Sequence, residues 1–394
     1  AGGRRVLVAS MWALAPCRLG DQRLWTDLAS VAAQAAADFG PLDTANTLWA
    51  LAMASVAEVP ALDAALASLT TSARRGVEEM SGMSLAASAW AFAAVRHLDP
   101  CWLRDVARVV EHRAAQLTLR ELGGIAWAWA TSEGSRRLIE ESILPAAARR
   151  VSHVAASGGP KVAERPLERQ PRRSAPSMPR RMQDETVDAV LQLAWARSFS
   201  GAETRNSLCT ATEAVLRAAG RERDAWAARA ARPCQQRRPL AHRARAENAS
   251  TASDGNVSSV GASAVAAQES VPSVVLEASD FVVVLKPPDW EVDGGADAGL
   301  SPRRGLQQLS TFLRSTFPSR PILEDRSVGF GFLGRLDAPS SGLVLCALTH
   351  EAQLLLQLRQ DTHAVAREYV ALCHGHVDAA LVTIDQPVAA ASGD

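Results

Sequence analysis

A Trp residue inside an Ala- and Leu-rich block recurs along the first half of the chain, and this repeat most constrains the fold. Four such blocks, 37 to 41 residues apart, are centred on Trp12, Trp49, Trp90 and Trp127. A fifth block surrounds Trp195. A period of this length is typical of helical hairpins that stack on one another, since one hairpin cannot bury its apolar face alone. The pattern predicts solenoid-like helical repeats over residues 1–155 and again over 186–230.

The Trp rings of these repeats have two interpretations. Around Trp49, apolar residues recur at helical spacing, and the small Ala residues beside the ring allow close helix packing. The first interpretation is therefore that the repeated Trp side chains are mostly buried and anchor a core. The alternative, stacking on nucleic-acid bases, requires exposed rings.

Two changes in composition divide the chain further. Residues 156–185 are rich in Pro and Arg, which predicts a disordered basic insertion. It serves either as a solvated linker or as a non-specific contact to phosphates. Residues 231–272 are small and polar, which predicts a flexible interdomain linker.

The pattern beyond the linker changes to short strands and helices. Apolar and β-branched runs predict strands at Val274–Leu276, Phe281–Leu285, Glu368–Cys373 and Leu381–Ile384. Helical spacing predicts helices over Arg303–Phe317 and His350–Arg359. Strands interleaved with short helices indicate an α+β domain over residues 273–394.

The stretch Gly331–Cys346 is the chemically most informative part of this domain. It predicts two short apolar strands around a tight polar loop, in which Arg335 and Asp337 stand two positions apart. A carboxylate beside a guanidinium on a rigid loop suits a nucleophile that its partner holds ionised. The alternative is a surface β-hairpin with a local ion pair.

Three blocks of this domain resemble one family. Arg335–Gly342, with the sequence RLDAPSSG, is similar to the HRLDxxTSG signature of the RluA-type RNA pseudouridine synthases. Ser279–Pro288 resembles the family's strand ending in Lys-Pro, and Arg367–Gly375 resembles its K-x-Y-x-A strand. The resemblance implies a mixed-sheet α+β catalytic domain. That domain is incomplete here, because the family's later basic and pocket segments are not found in the sequence.

The resemblance also implies residue roles. Asp337 is the nucleophile, or the base, that triggers cleavage of the glycosidic bond, and Tyr369 stacks on the uracil or takes its C5 proton. Arg335 holds Asp337 ionised and contacts phosphate, and Arg367, where the family usually has Lys, binds substrate. Lys286 and Gly342 give structural support. Tyr369 is the only Tyr of the chain, and Lys286 is one of only two Lys beside 40 Arg. Rare residues on motif positions argue that these positions need their chemistry.

The leading expectation is therefore an enzyme that isomerises uridine to pseudouridine in RNA, either rRNA or organellar RNA. The sequence has Gly334 where the family normally has His. This difference and the incomplete domain keep an alternative open, which is an RNA-binding helical-repeat protein with an inactive synthase remnant. The block LWALA on a period near 38 loosely resembles octotricopeptide-type repeats of organellar RNA-binding proteins. A purely structural scaffold would explain the repeats but not the three ordered blocks.

The composition limits how the chain can bind RNA, metals, cofactors and membranes. The formal net charge is zero, so RNA must be bound by local basic surface rather than by a global field. The six Cys show no C-x-x-C spacing, which predicts neither a metal site nor a disulfide framework, and the reaction needs no cofactor. No apolar run has the length of a membrane span. We expect a monomer in an intracellular compartment, with chloroplast or mitochondrion left open.

Overall fold

The computed structural model describes most of the N-terminal helical half and much of the first part of the C-terminal domain. The described residues are 2–16, 22–54, 61–97, 99–131, 137, 139–157, 181–200, 207–231, 271–293, 307–372 and 375. The middle of the predicted basic insertion, nearly all of the predicted interdomain linker and the predicted strand Leu381–Ile384 lie outside these ranges.

The described part of the N-terminal half is helical, as the repeat predicts. Its helices are α1 (Gly2–Leu14), α2 (Gln22–Ala35), α3 (Pro41–Met53), α4 (Leu62–Arg75), α5 (Gly82–Ala94), α6 (Pro100–Arg113), α7 (Leu119–Ala130), α8 (Leu144–Ala156), α9 (Arg181–Ser200) and α10 (Ser207–Ala231). A π-helix, Ile139–Ile143, leads directly into α8. Helix α9 begins inside the range that the composition assigned to the basic insertion.

These helices pack in two rows. Helices α1, α3, α5, α7 and α9 each contact the next, and all the repeated Trp residues lie on this first row. The second row runs through α2, α4 and α6 to the π-helix, and α8 packs on α10. Side-chain caps start several of these helices: the Ser81 and Asp99 side chains accept from backbone amides, and Thr118 with Glu121 forms a capping box.

The expectation that the repeated Trp side chains are mostly buried is only partly met. Trp49, Trp90, Trp127 and Trp195 are half-buried, and Trp12 is 52% exposed. The fully buried indoles belong instead to Trp102 and Trp129. Ala side chains beside each repeat ring fill the core, so the rings themselves cover the outer face of the first row.

The C-terminal domain contains a small antiparallel sheet. Strands β1 (Ser273–Glu277), β2 (Phe281–Lys286) and β5 (Gly342–Ala347) pair in the order β1-β2-β5, and β3 (Trp290–Glu291) pairs in parallel with β4 (Gln307–Gln308). The apolar side of the sheet packs on α11 (Leu309–Thr316), because Val282 and Val284 alternate inward with Leu309 and Leu313 beneath them. Helix α12 (His350–Asp361) follows β5.

Two sequence expectations for this domain are wrong. Of the helix predicted over Arg303–Phe317, the described residues form only α11, since residues 307 and 308 form β4. The predicted strand Glu368–Cys373 is not a strand over residues 368–372, which are exposed and pair with no described strand. A segment with strand-forming residues becomes a strand only when its backbone groups form hydrogen bonds with a neighbouring strand.

The two halves of the chain share helix α12. One side of α12 places Leu354 and Leu358 in the core of the helical region, against α10 and α9. The other places Ala352 in the core under the sheet. One helix therefore contributes to both cores, and the C-terminal sheet is held against the helical rows.

Candidate active site

The candidate site is the loop that joins Leu333 to β5. Its first predicted strand is reduced to one bridge, between Phe332 and Cys346, and a hydrogen bond from the Leu333 amide to the Leu345 carbonyl. The loop then turns at Asp337, whose carbonyl accepts from the Ser340 amide at 3.0 Å. The Asp337 side chain is exposed at this turn. A carboxylate at such a position can reach a group that approaches from solvent.

Lys286 holds the loop from inside. Its side chain is fully buried, and its Nζ donates to the carbonyl oxygens of Pro287 at 3.0 Å, Ala338 at 3.1 Å and Ser340 at 2.6 Å. Three acceptors match the three N–H groups of the ammonium. Burial lowers the pKa of Lys286, while the nearby carboxylates of Asp289 and Asp337 oppose that shift. The backbone on both sides of Pro339 is thus fixed by one buried cation.

Further backbone contacts complete the support of the loop. The amide of Asp289 donates to the Ala338 carbonyl at 2.8 Å, so Ala338 is held by two donors. Gly342, at the start of β5, pairs with Lys286 in the sheet and has a φ of 148°. A Cβ there would make only an ordinary contact with Leu336. Glycine is favoured at 342 by its backbone conformation rather than by lack of space.

Arg335 does not form the ion pair that the sequence predicted. Its Nη2 lies 2.9 Å from Asp293 Oδ1 and also donates to the Asp293 carbonyl at 3.4 Å. Among the described residues, no ion pair joins Arg335 to Asp337. The side chain of Asp293 is nearly buried at the end of β3 and attracts the guanidinium away from the loop tip. Sequence reasoning missed Asp293, because the preceding Trp290–Val292 stretch has the charged Glu291 at its centre and gives no local signal for a buried carboxylate.

Tyr369 and Arg367 lie on the exposed segment that follows α12. Tyr369 is 72% exposed and makes no hydrogen bond or ring contact within the described residues. The structure therefore brings Lys286 of β2 and Gly342 of β5 together with the loop that carries Arg335 and Asp337, but does not enclose Tyr369 in a pocket with Asp337. The described residues contain no group of three or more His, Cys, Asp or Glu that could hold a metal ion. No described helix is long and apolar enough to cross a membrane.

The fold and the loop together define an α+β domain that presents a carboxylate on a rigidly held turn at the end of a sheet. Residues 280–391 match the family model described as RNA pseudouridylate synthase, which is of the RluA type. The family consists of isomerases that convert uridine to pseudouridine. The helical region lies outside the match. The search of curated proteins found no match.

Proposed function

We propose that this protein is an RNA pseudouridine synthase, with rRNA or an organellar RNA as substrate and Asp337 as the catalytic residue. The observation that carries the proposal is the Asp337 turn, an exposed carboxylate on a backbone that Lys286 ties at Ala338 and Ser340. A catalytic carboxylate must be ionised and oriented toward the reacting atom, and a fixed backbone provides that orientation. The family match of residues 280–391 supports the reaction class.

The proposed reaction is an isomerisation within one nucleotide. The Asp337 carboxylate acts on the target uridine as nucleophile or as base, and the bond between uracil N1 and ribose C1′ breaks. The uracil turns, C5 bonds to C1′, and the C5 proton leaves to solvent while N1 gains a proton. The uridine must leave its stack to reach the carboxylate, which is why exposure of Asp337 favours this role.

The neighbouring residues receive supporting roles in this proposal. Arg335 is more than half exposed on the loop and can exchange Asp293 for a phosphate of the flipped nucleotide, since Arg binds either group in the same bidentate way. Tyr369 stacks on the uracil or takes the C5 proton once RNA covers the exposed segment, and Arg367 contacts the RNA backbone. Lys286 and Gly342 hold the shape of the loop.

The experiment that tests the proposal is tritium release from RNA that carries 5-tritiated uridine. The protein is incubated with total rRNA and with organellar transcripts, and released tritium is measured over time. Release that depends on the protein and on single-stranded or loop uridines supports the proposal. The absence of release from every RNA class, with RNA still bound, would overturn it.

The alternative from the sequence is an RNA-binding helical-repeat protein with an inactive synthase remnant. The exposure of Tyr369 favours it, because the residue expected to meet the uracil is not enclosed with Asp337. The same assay separates the two: the alternative predicts RNA binding without tritium release.

A further inference from the structure

A groove with an aromatic rim crosses the first helix row. We call it the Trp groove, and it is lined by Trp49, Met83, Ala86, Ala87, Trp90, Thr118, Leu119, Arg120, Glu121, Arg150, Val154, Glu185 and Thr186. Its volume is about 620 Å³. The small side chains of Ala86 and Ala87 lie between the ring of Trp90 and the exposed Met83 on one face of α5, so a flat group can approach the helix closely.

The rings of the Trp groove belong to a longer row of aromatic side chains. Trp12 lies 6.0 Å from Trp49 between ring centroids at one end. At the other end, Trp127 and Trp195 stack at 6.3 Å and Trp195 lies 4.3 Å from Phe199. Phe199 then contacts His363, at 5.5 Å. Ring contacts therefore join Trp12 to Trp49 at one end and run from Trp127 to His363, just past the end of α12, at the other. Trp90 lies on α5, the helix between these two groups.

The charges around the Trp groove leave one cation without a partner. Arg120 is paired with Glu185 at 3.2 Å, and Glu121 accepts from the Thr118 amide at the start of α7 at 2.8 Å. Arg150 is half-buried in the groove and makes no hydrogen bond or ion pair within the described residues. A guanidinium held partly out of water without a counterion favours an anionic ligand.

We infer that the Trp groove binds a single-stranded segment of RNA, with bases stacked against Trp49 and Trp90 and a phosphate on Arg150. Partly exposed flat rings with a nearby cation match the way proteins bind single strands, whose bases present a π-face at every position. In a duplex these faces are covered by neighbouring base pairs, so a duplex cannot occupy the rings. An apolar peptide could cover Met83 and the rings, but it would leave Arg150 without an anion.

The inference rests on the proposed function in one respect: the RNA in the groove is the strand whose uridine reaches Asp337. The aromatic row supports this link, because it continues to His363 on the synthase side of the molecule. The helical region would then select a substrate by holding single-stranded RNA beside the target uridine. Substrates with unpaired nucleotides flanking that uridine would be preferred over fully paired ones.

The test is fluorescence anisotropy with a fluorescein-labelled oligouridylate of about 12 nucleotides, a length within the range that single-strand sites cover. The full chain is titrated at fixed salt, with a blunt RNA duplex of equal length as the competing probe. Trp49→Ala combined with Trp90→Ala should weaken binding at least about 10-fold. The double Phe substitution keeps aromatic faces and should restore most of the affinity. Trp226→Ala, at a half-buried ring on α10 outside the groove, is the control and should bind normally.

The role of Arg150 is tested by comparing two substitutions at neighbouring positions of α8. Arg150→Ala should weaken binding several-fold and reduce the slope of log affinity against log salt by about 0.7, the value of one lost phosphate contact on a single strand. Arg149→Ala removes the exposed neighbouring Arg, which does not line the groove, and should change neither quantity. Equal effects of the two substitutions would overturn the phosphate assignment.

The outcomes separate this inference from the proposed function. If the Trp and Arg150 variants bind the oligouridylate as the parent does, or if the duplex binds equally well, the inference is wrong whatever the activity. If instead they lose RNA binding while the parent releases no tritium from any RNA, the groove stands and the proposed synthase function fails. A circular dichroism melt of each variant shows whether the helices remain folded, and the double Phe variant keeps the test decisive if the Ala variant unfolds.

Discussion

The Nδ1 atom of His350 lies 2.8 Å from the Oδ1 atom of Asp224, and this contact joins the synthase domain to helix α10. Asp224 also accepts from the backbone amides of His350 and Glu351, at 2.8 and 3.2 Å, so it acts as a side-chain cap for α12 from another domain. The Nε2 atom of His350 faces Asp325 Oδ2 at 3.2 Å. One buried imidazole therefore bridges a carboxylate of each domain.

The junction of α10 and α12 should be pH-dependent through this cluster. Burial lowers the pKa of His350, but its hydrogen bonds to Asp224 and Asp325 outweigh that effect and raise it. The hydrogen bond from His350 lowers the pKa of Asp325 to about 2. The His350 contribution is thus complete below its ordinary pKa, near 6.5, and is lost as pH rises through the raised value. The Asp325 contribution is present above about pH 3.8 and is lost as pH falls towards 2.

We therefore expect the melting temperature of the chain to be highest between about pH 4 and 6.5 and to fall as pH increases beyond that window. His350→Gln keeps some hydrogen bonding but removes the charge, so it should flatten the alkaline side of this profile. His153→Gln, on the exposed face of α8, is the matched control and should leave the profile unchanged. An unchanged profile in the His350 variant would exclude this residue as the titrating group.

The same junction depends on a glycine of α10. A Cβ added to Gly220 would lie 2.3 Å from the Cα of Glu351, so the backbones of α10 and α12 approach too closely for any side chain. Gly220→Ala should lower the free energy of unfolding by about 1–3 kcal/mol, as overpacking does, despite the better helix propensity of Ala. Gly3→Ala is the control, because nothing lies within 4 Å of that position, and it should be neutral or mildly stabilising. Urea denaturation of both variants measures the difference.

The surface ion pairs at this junction are secondary. Arg217 and Arg221 each lie 3.3 Å from Glu351 Oε1, and both Arg side chains are largely exposed. Exposed pairs of this kind contribute about 0–1 kcal/mol. The packing of Leu354 and Leu358 and the buried His350 therefore dominate the attachment of the two regions.

The sequence predicted the elements with strong local signals. The Trp period predicted helices around Trp12, Trp49, Trp90 and Trp127, because apolar spacing determines which local structure can bury a face. The β-branched runs predicted β1 and β2, and the Leu-rich segment predicted α12. The motif around Asp337 predicted a tight polar loop before β5, because its Gly and Pro residues favour turns.

Contacts between segments that are distant along the chain could not be predicted from the sequence. The pairing of Arg335 with Asp293 and of His350 with Asp224 joins residues 42 and 126 positions apart, and no local pattern connects them. The partial exposure of the Trp rings depends on whether another layer covers the first helix row, which periodicity alone does not reveal. Glu368–Val370 has strand-forming residues, but the segment pairs with neither edge of the described sheet, β1 or β5, and the local sequence does not reveal this.

Lys286→Met should impair both the fold and the chemistry. Met has nearly the same length, but it leaves the carbonyls of Pro287, Ala338 and Ser340 without their shared donor. The Ala338 carbonyl keeps the Asp289 amide as a donor, so the loss falls on the Pro287 and Ser340 carbonyls. An acceptor left without its partner costs about 1–3 kcal/mol, so we expect a loss of about 2–4 kcal/mol in urea denaturation. If the loop holds Asp337 in place, kcat should fall more than KM rises. A stable variant with parental kcat would show that Lys286 does not position the loop.

Asp337→Asn should abolish pseudouridine formation and leave RNA binding nearly intact. The amide has almost the same size as the carboxylate and is exposed, so the turn and its Lys286 contacts should persist. An amide cannot act as an anionic nucleophile or as a base of comparable strength, and the barrier should rise by about 4 kcal/mol or more, a rate loss of roughly 1000-fold. Binding should persist because phosphate contacts and base stacking, not this carboxylate, supply affinity. Single-turnover tritium release and filter binding at fixed salt measure the two effects separately.

The control for this substitution is Glu277→Gln, which changes an exposed acid on β1 away from the loop and should alter neither tritium release nor RNA binding. Tritium release at the parental rate from the Asn variant would remove Asp337 from the chemistry and leave the RNA-binding remnant as the better account of the domain.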